Sequence, residues 1–200
     1  MNAPLKTPRT PLHPVDPLFL NRWSSRAFAT DAITETELLS LIEAARWAPS
    51  ASNLQPWRFA YALRGDAGFA ALAATLAAGN ALWAPQAAAL VAIASKETML
   101  PAGAEAEVVN PAHAFDAGAA WVSLAYQAHH SGWVAHAMGG FDRVAAAEAL
   151  HLPAGHVLHA VIAIGRRGDA AVLPEALQAR EQPSQRLPLD RIATRGQFPA

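Results

Sequence analysis

Two stretches of this 200-residue chain leave its fold little freedom. "AAALVAIAS", residues 87–95, and "HVLHAVIAIG", His156–Gly165, are apolar at odd and even positions almost throughout. Side chains on a strand alternate between two faces, so runs of this kind belong inside a sheet that is covered on both sides. "WRFAYAL", residues 57–63, and "GWVAHAM", residues 132–138, read as two further strands. Between the strands lie helical patterns. A short one is predicted over 16–22, and a longer one over 34–47. There Thr34 and Glu37 have capping-box spacing, and Leu38, Leu41, Ile42 and Ala45 fall on one face. Another starts at Asp66, and Asp142 is placed to cap "RVAAAEALHL". The pattern over 115–131 is apolar almost all round and predicts a buried helix, with Gly118, Ala119 and Ser123 small enough to admit a second helix closely, which suits a central or subunit-interface position. No internal repeat and no boundary after residue 20 appears, so the fold class is α+β in a single domain over 16–200.

Composition removes several functions. Hydrophobic residues make up 52% and charged ones 16%, which suits a compact protein. A net charge of −1 provides no field for nucleic acid or an anionic membrane, so any phosphate must be met by local geometry. The absence of cysteine excludes disulfides, thiolate metal sites and a cysteine nucleophile, and it fits a reducing cytoplasm. Residues 67–95 carry no charge. Gly79, Asn80, Pro85 and Gln86 interrupt them, which predicts a helix, a turn and a buried strand rather than a membrane span. Residues 1–15, with prolines at 4, 8, 11 and 14, read as a disordered arm. Residues 96–114 are the longest irregular connection. The tail from 166 has little to bury alone and must pack on something else.

Three short motifs carry chemistry. In "RWSSRAF", residues 22–28, Arg22 and Arg26 share a side of a helix or meet in a turn, while Ser24 offers a hydroxyl and neighbouring amides to the same anion. A solvated helix end with a serine cap explains the same residues. In "WAPSASNLQPWRF", Ser50, Asn53 and Gln55 place uncharged polar groups between Pro49 and Pro56, suited to a heterocycle or simply to a turn. "HAMGGFD" puts Gly139 and Gly140 at a strand end, for close approach of a flat ligand or for a turn with positive φ. The eight histidines show no ligand spacing, so no metal is assigned. Neither a GxSxG elbow, a GxGxxG fingerprint nor a P-loop occurs.

Taken in order, the three motifs resemble the FMN-dependent nitroreductase family over residues 16–198. "RWSSRAF" is similar to its R-x-S-x-R/K-x-F signature, and "APSASNLQPWRF" to P-S-x-x-N-x-Q-P-W; "GGFD" and "QRLPLDRI" add support. The resemblance implies a central mixed, mostly antiparallel sheet flanked by helices, and a homodimer with FMN at its interface and the C-terminal tail packed on the partner. It implies FMN contacts from Arg22, Ser24 and Arg26, with Trp23, on the phosphate and the pyrimidine side of the ring, and from Arg186 on the phosphate. On the ring side it implies Asn80, Met138, Gly139 and Gly140 from the same subunit, and Pro49, Ser50, Asn53 and Gln55 from the other. No side chain is then a catalytic acid or base: flavin N5 would pass a hydride from NAD(P)H to a nitroaromatic, quinone or other small acceptor, in ping-pong fashion. Two departures stand out, since some members have basic residues where this chain has Ser184 and Trp83. A flavin-binding module, a flavin-dependent dehydrogenase or flavin-degrading relative, and a cofactor-free scaffold are the other readings of these residues.

Overall fold

A computed structural model describes residues 9–199. The first eight residues of the proline-rich arm lie outside the described residues. Helix α1 (Pro17–Asn21) starts at Asp16, whose carboxylate accepts the Leu18 amide. Helix α2 (Glu35–Arg46) forms the full capping box of Thr34 and Glu37 and buries Leu38, Leu41 and Ala45. Strand β1 (Trp57–Leu63), helices α3 (Ala67–Ala74) and α4 (Ala78–Ala81), and strand β2 (Ala89–Lys96) follow. Two-residue strands β3 (Thr98–Met99) and β4 (Val108–Val109) pair with each other, so the connection read as irregular holds a small hairpin. Helix α5 (His113–His130), strand β5 (Val134–Met138), helix α6 (Arg143–Ala149) and strand β6 (His156–Gly165) complete the core elements. Asp142 caps α6 through the amides of Val144 and Ala145. The tail contributes only helix α7 (Glu175–Gln178) and short 3-10 turns.

The main sheet runs β1-β2-β6-β5, and every pair is antiparallel. The parallel component of the expected mixed sheet is therefore absent among the described residues. β2 and β6 are the interior strands, as their two-faced apolarity requires. Val91, Ile93, Ile162 and Ile164 face a core shared with α2 and α5, while Leu90, Ala92, Val161 and Ala163 face a second core against α3 and α6. Pairing of β2 with β6 shifts between Ile93 and Ala94, and His159 is the residue left over.

Of the two placements read for α5, central or at a subunit interface, the central one is not taken. The helix buries Ala117, Ala120, Leu124, Ala125 and Ala128, but Phe115 is 83% exposed and Val122 is exposed beside it. Within one chain this helix is covered on one side only.

Candidate functional site

The arginine motif is held by its phenylalanine. Phe28 is buried against Gly165 at the end of β6, where an added Cβ would lie 2.6 Å from the ring. The Ala29 amide donates to the Arg166 carbonyl at 2.9 Å, and the Gly168 amide to Ala27 at 2.8 Å. Upstream, α1 stops at Asn21 and residues 22–27 run without helical structure. Arg22 and Arg26 thus reach the same place from an extended run, not from one helix face.

Tail residue Glu181 locks this run. Its carboxylate accepts the amides of Arg26 at 2.9 Å and Ala27 at 3.0 Å, together with the hydroxyl of fully buried Ser25. Those two motif amides are therefore already committed and are not open to an anion.

Beside the motif opens a cleft of about 280 Å³. Five arginines line it: Arg22 and Arg26 from the motif, Arg180 and Arg186 from the tail, and Arg9 from the segment read as a disordered arm. Trp23 and Ser24 also line it, and no aspartate or glutamate does among the described residues. The cations feel one another. Arg22 is lowered from its ordinary pKa chiefly by burial, with Arg186 adding and Tyr126 opposing. Arg26 is lowered by burial and by Arg180, against Glu181. A concave set of guanidiniums with no carboxylate among its lining residues is a site for a multiply charged anion.

His136, on β5, lines the cleft as well, with Gln182 and Ser184 of the tail. Its Nδ1 lies 3.1 Å from the Ser25 carbonyl, which can only accept, so Nδ1 carries the proton. Burial, with Arg26 and Arg22 adding and the Ser25 contact and Glu181 opposing, lowers its pKa to about 4. The ring is neutral at pH 7. Behind it, 4.5 Å away between ring centroids, stands Trp83. Trp83 is 1% exposed and packs on Phe28 as well, so it is core beneath the site rather than a wall of it.

Further along β5 is a second cluster. The Asn80 side chain donates to the Gly140 carbonyl at 2.9 Å, and a Cβ on Gly140 would come within 3.1 Å of that amide nitrogen. Neither Gly139 nor Gly140 has positive φ, so close approach, not turn geometry, explains Gly140. Met138 is buried in the core, while Gly139 and Gly140 are exposed.

Pro49, Ser50, Asn53 and Gln55 do not line the cleft of their own chain. Their loop is nonetheless built to a fixed shape. Ser52, Asn53 and Gln55 all hold positive φ, a conformation costing such residues roughly 1–3 kcal/mol each. The Gln55 amide donates to Ser50 Oγ at 3.0 Å, and the Ala51 amide to the buried Asp116 carboxylate of α5 at 3.2 Å. Pro49, Asn53 and Gln55 remain exposed.

The nitroreductase family model matches residues 20–166. The chain belongs to the nitroreductase family. A crystal structure described as an oxidoreductase containing FMN is 42% identical, covers 99% of this chain and 98% of its own, and superposes with a TM-score of 0.92. A protein of Exiguobacterium sibiricum solved in complex with FMN is 24% identical, with coverage of 94% and 99% and a TM-score of 0.71. At that identity the likeness shows the fold. An uncharacterized 15.4 kDa protein of Mycolicibacterium smegmatis is 37% identical over 134 residues, 66% of this chain and 86% of the relative.

Within this nitroreductase-family chain the structure gathers Arg22, Trp23, Ser24, Arg26 and Arg186 at one cleft, and Asn80 with Gly140 at a second point along β5. Sequence reasoning missed Arg9, Arg180, His136 and Glu181. Arg180 and Glu181 carried no motif, and Arg9 lay in a segment whose prolines pointed away from any fixed role. Among the described residues no group of three or more potential ligands is placed to hold a metal ion, and no helix is long and apolar enough to cross a membrane.

Proposed function

We propose that this chain is an FMN-dependent oxidoreductase whose arginine cleft holds the flavin phosphate. The observation that carries the reading is the convergence of Arg22 and Arg26 with Arg186, 160 or more positions away, around a cleft that no carboxylate lines. A phosphate monoester carries close to two negative charges and three acceptor oxygens. It fits a donor set of guanidiniums with the Ser24 hydroxyl, each charge-assisted contact contributing roughly 1.5–3 kcal/mol. The 42% identical structure, described as containing FMN, supports the choice of flavin.

When bound, FMN supplies hydride transfer at its N5 between NAD(P)H and a small acceptor such as a nitroaromatic or quinone, in two successive half-reactions. The protein's own residues bind, orient and shield. Arg22, Arg26 and Arg186 fix the phosphate, and Trp23 and Ser24 close that end. Asn80, Met138, Gly139 and Gly140 define where the ring lies, with Gly140 allowing close approach. Neutral His136 adds no charge to the wall between the two ends.

A second copy of the chain completes the site. The exposed apolar side of α5 and the exposed, strained 49–55 loop support a homodimer in which Pro49, Ser50, Asn53 and Gln55 serve the partner's flavin. The tail, exposed over most of its length, then packs on that partner.

Two measurements on purified protein test the reading. Arg22→Ala with Arg26→Ala is expected to abolish FMN retention while circular dichroism stays native; unchanged flavin occupancy overturns the phosphate assignment. Anaerobic NADH or NADPH is expected to bleach the yellow protein. Bound flavin that does not bleach identifies a binding module instead, and a colourless preparation that takes up no FMN rejects the cofactor.

A further inference from the structure

Arg9 lies outside every motif, yet it is tied into the cleft by three hydrogen bonds, one of them to the tail. Its Nε donates to the Ser184 carbonyl at 2.9 Å, across 175 positions of sequence. Its Nη1 donates to the carbonyls of Leu20 at 3.0 Å and Arg22 at 2.9 Å. One guanidinium therefore joins the end of α1 to the returning tail, between Arg22 and Arg186.

All three acceptors are backbone carbonyls. They fix the plane of the guanidinium but do not neutralise it. Arg9 belongs to the cleft wall, where no carboxylate lies, and Nη2 makes no hydrogen bond to another described residue. Burial, and next Arg186 and Arg22, lower its pKa, the mark of a cation crowded by cations. A guanidinium preset by its Nε and Nη1 edges, with its last nitrogen left over, is arranged for an incoming anion.

We propose that Arg9 is a phosphate-binding residue of this cleft, delivered by the N-terminal arm. The proposal rests on the FMN reading above and extends it to a residue outside the motifs. Arg9 then supplies a third direction of attack on the phosphate, besides the motif and the tail.

The test compares FMN with riboflavin, which lacks the phosphate, by flavin-fluorescence titration of wild type, Arg9→Lys and Arg9→Met. Lysine and methionine both lose the fork to the three carbonyls and differ in charge, so their comparison holds even where both lose some stability. Arg9→Met is expected to weaken FMN binding about tenfold to a hundredfold and to leave riboflavin binding unchanged. Arg9→Lys is expected to recover most of that loss. Equal weakening of FMN by both variants would make Arg9 a strut only and overturn the proposal, as would equal weakening of FMN and riboflavin. If wild type shows no preference for FMN over riboflavin, the phosphate reading of the whole cleft fails; if wild type has the preference and Arg9→Met keeps it, only the role of Arg9 fails.

Discussion

Replacing His136 by asparagine should remove much of the chain's acid sensitivity. His136 is held neutral in the fold at a pKa of about 4, against 6.5 for an unperturbed imidazole. Between those values the unfolded chain binds a proton that the folded chain refuses, so stability is complete above pH 6.5 and declines as pH falls toward 4. At about 1.36 kcal/mol per pH unit, the interval amounts to about 3 kcal/mol. Asparagine can still donate from its side-chain amide toward the Ser25 carbonyl, but it has no proton to gain. Urea unfolding of both proteins from pH 4 to 7.5 reads the effect. The wild-type stability is expected to fall by about 3 kcal/mol more than that of His136→Asn between pH 7 and pH 4. His129 and His159, whose pKa values burial also lowers, are present in both proteins and cancel. Parallel curves would refute the neutral, half-buried placement of His136 in the cleft wall.

Other expectations follow from the same contacts. Gly165→Ala drives a methyl into the Phe28 ring and should cost about 1–3 kcal/mol in urea unfolding, with part of the loss restored by Phe28→Leu in the double variant. Glu181→Gln weakens the charged acceptor of the Arg26 and Ala27 amides by about 1.5–3 kcal/mol, so trypsin should cut at Arg180 and Arg186 sooner than in wild type. Asp116→Ala leaves the Ala51 amide without its partner and should cost about 1–3 kcal/mol while loosening the 49–55 loop, measured by hydrogen exchange at Ala51 through Gln55. Dilution to monomer, followed by gel filtration with flavin absorbance, should release FMN if the loop serves the partner's flavin; a monomer with full occupancy would place those residues elsewhere.

Much of the fold was legible because it obeys local rules. β1 and β6 end where their apolar runs end, and α2 starts at the threonine whose spacing to Glu37 permits only one capping arrangement. The 98–109 hairpin was not legible, since two residues per strand, with exposed Val108 and Val109, produce no period to detect. The uncovered side of α5 could not be assigned for a different reason. Apolarity all round signals burial without saying whether the same chain does the burying. The role of Asp116 was not legible either: the buried carboxylate takes its donor from the 49–55 loop, 65 positions away. Of the site, the residues inside motifs were visible, and those recruited by tertiary closure were not. Nothing local to Arg9 announces Ser184, and nothing local to Glu181 announces Ser25.

The central claim is that arginines from the head and tail of the chain close on one phosphate. A crystal structure of the FMN-loaded protein tests it most directly. Phosphate oxygens are expected within hydrogen-bonding distance of Arg22, Arg26 and Arg186, with the flavin ring toward Asn80 and Gly140 and the partner's Asn53 beside it. A phosphate bound away from those guanidiniums, with the cleft holding only solvent, would contradict it.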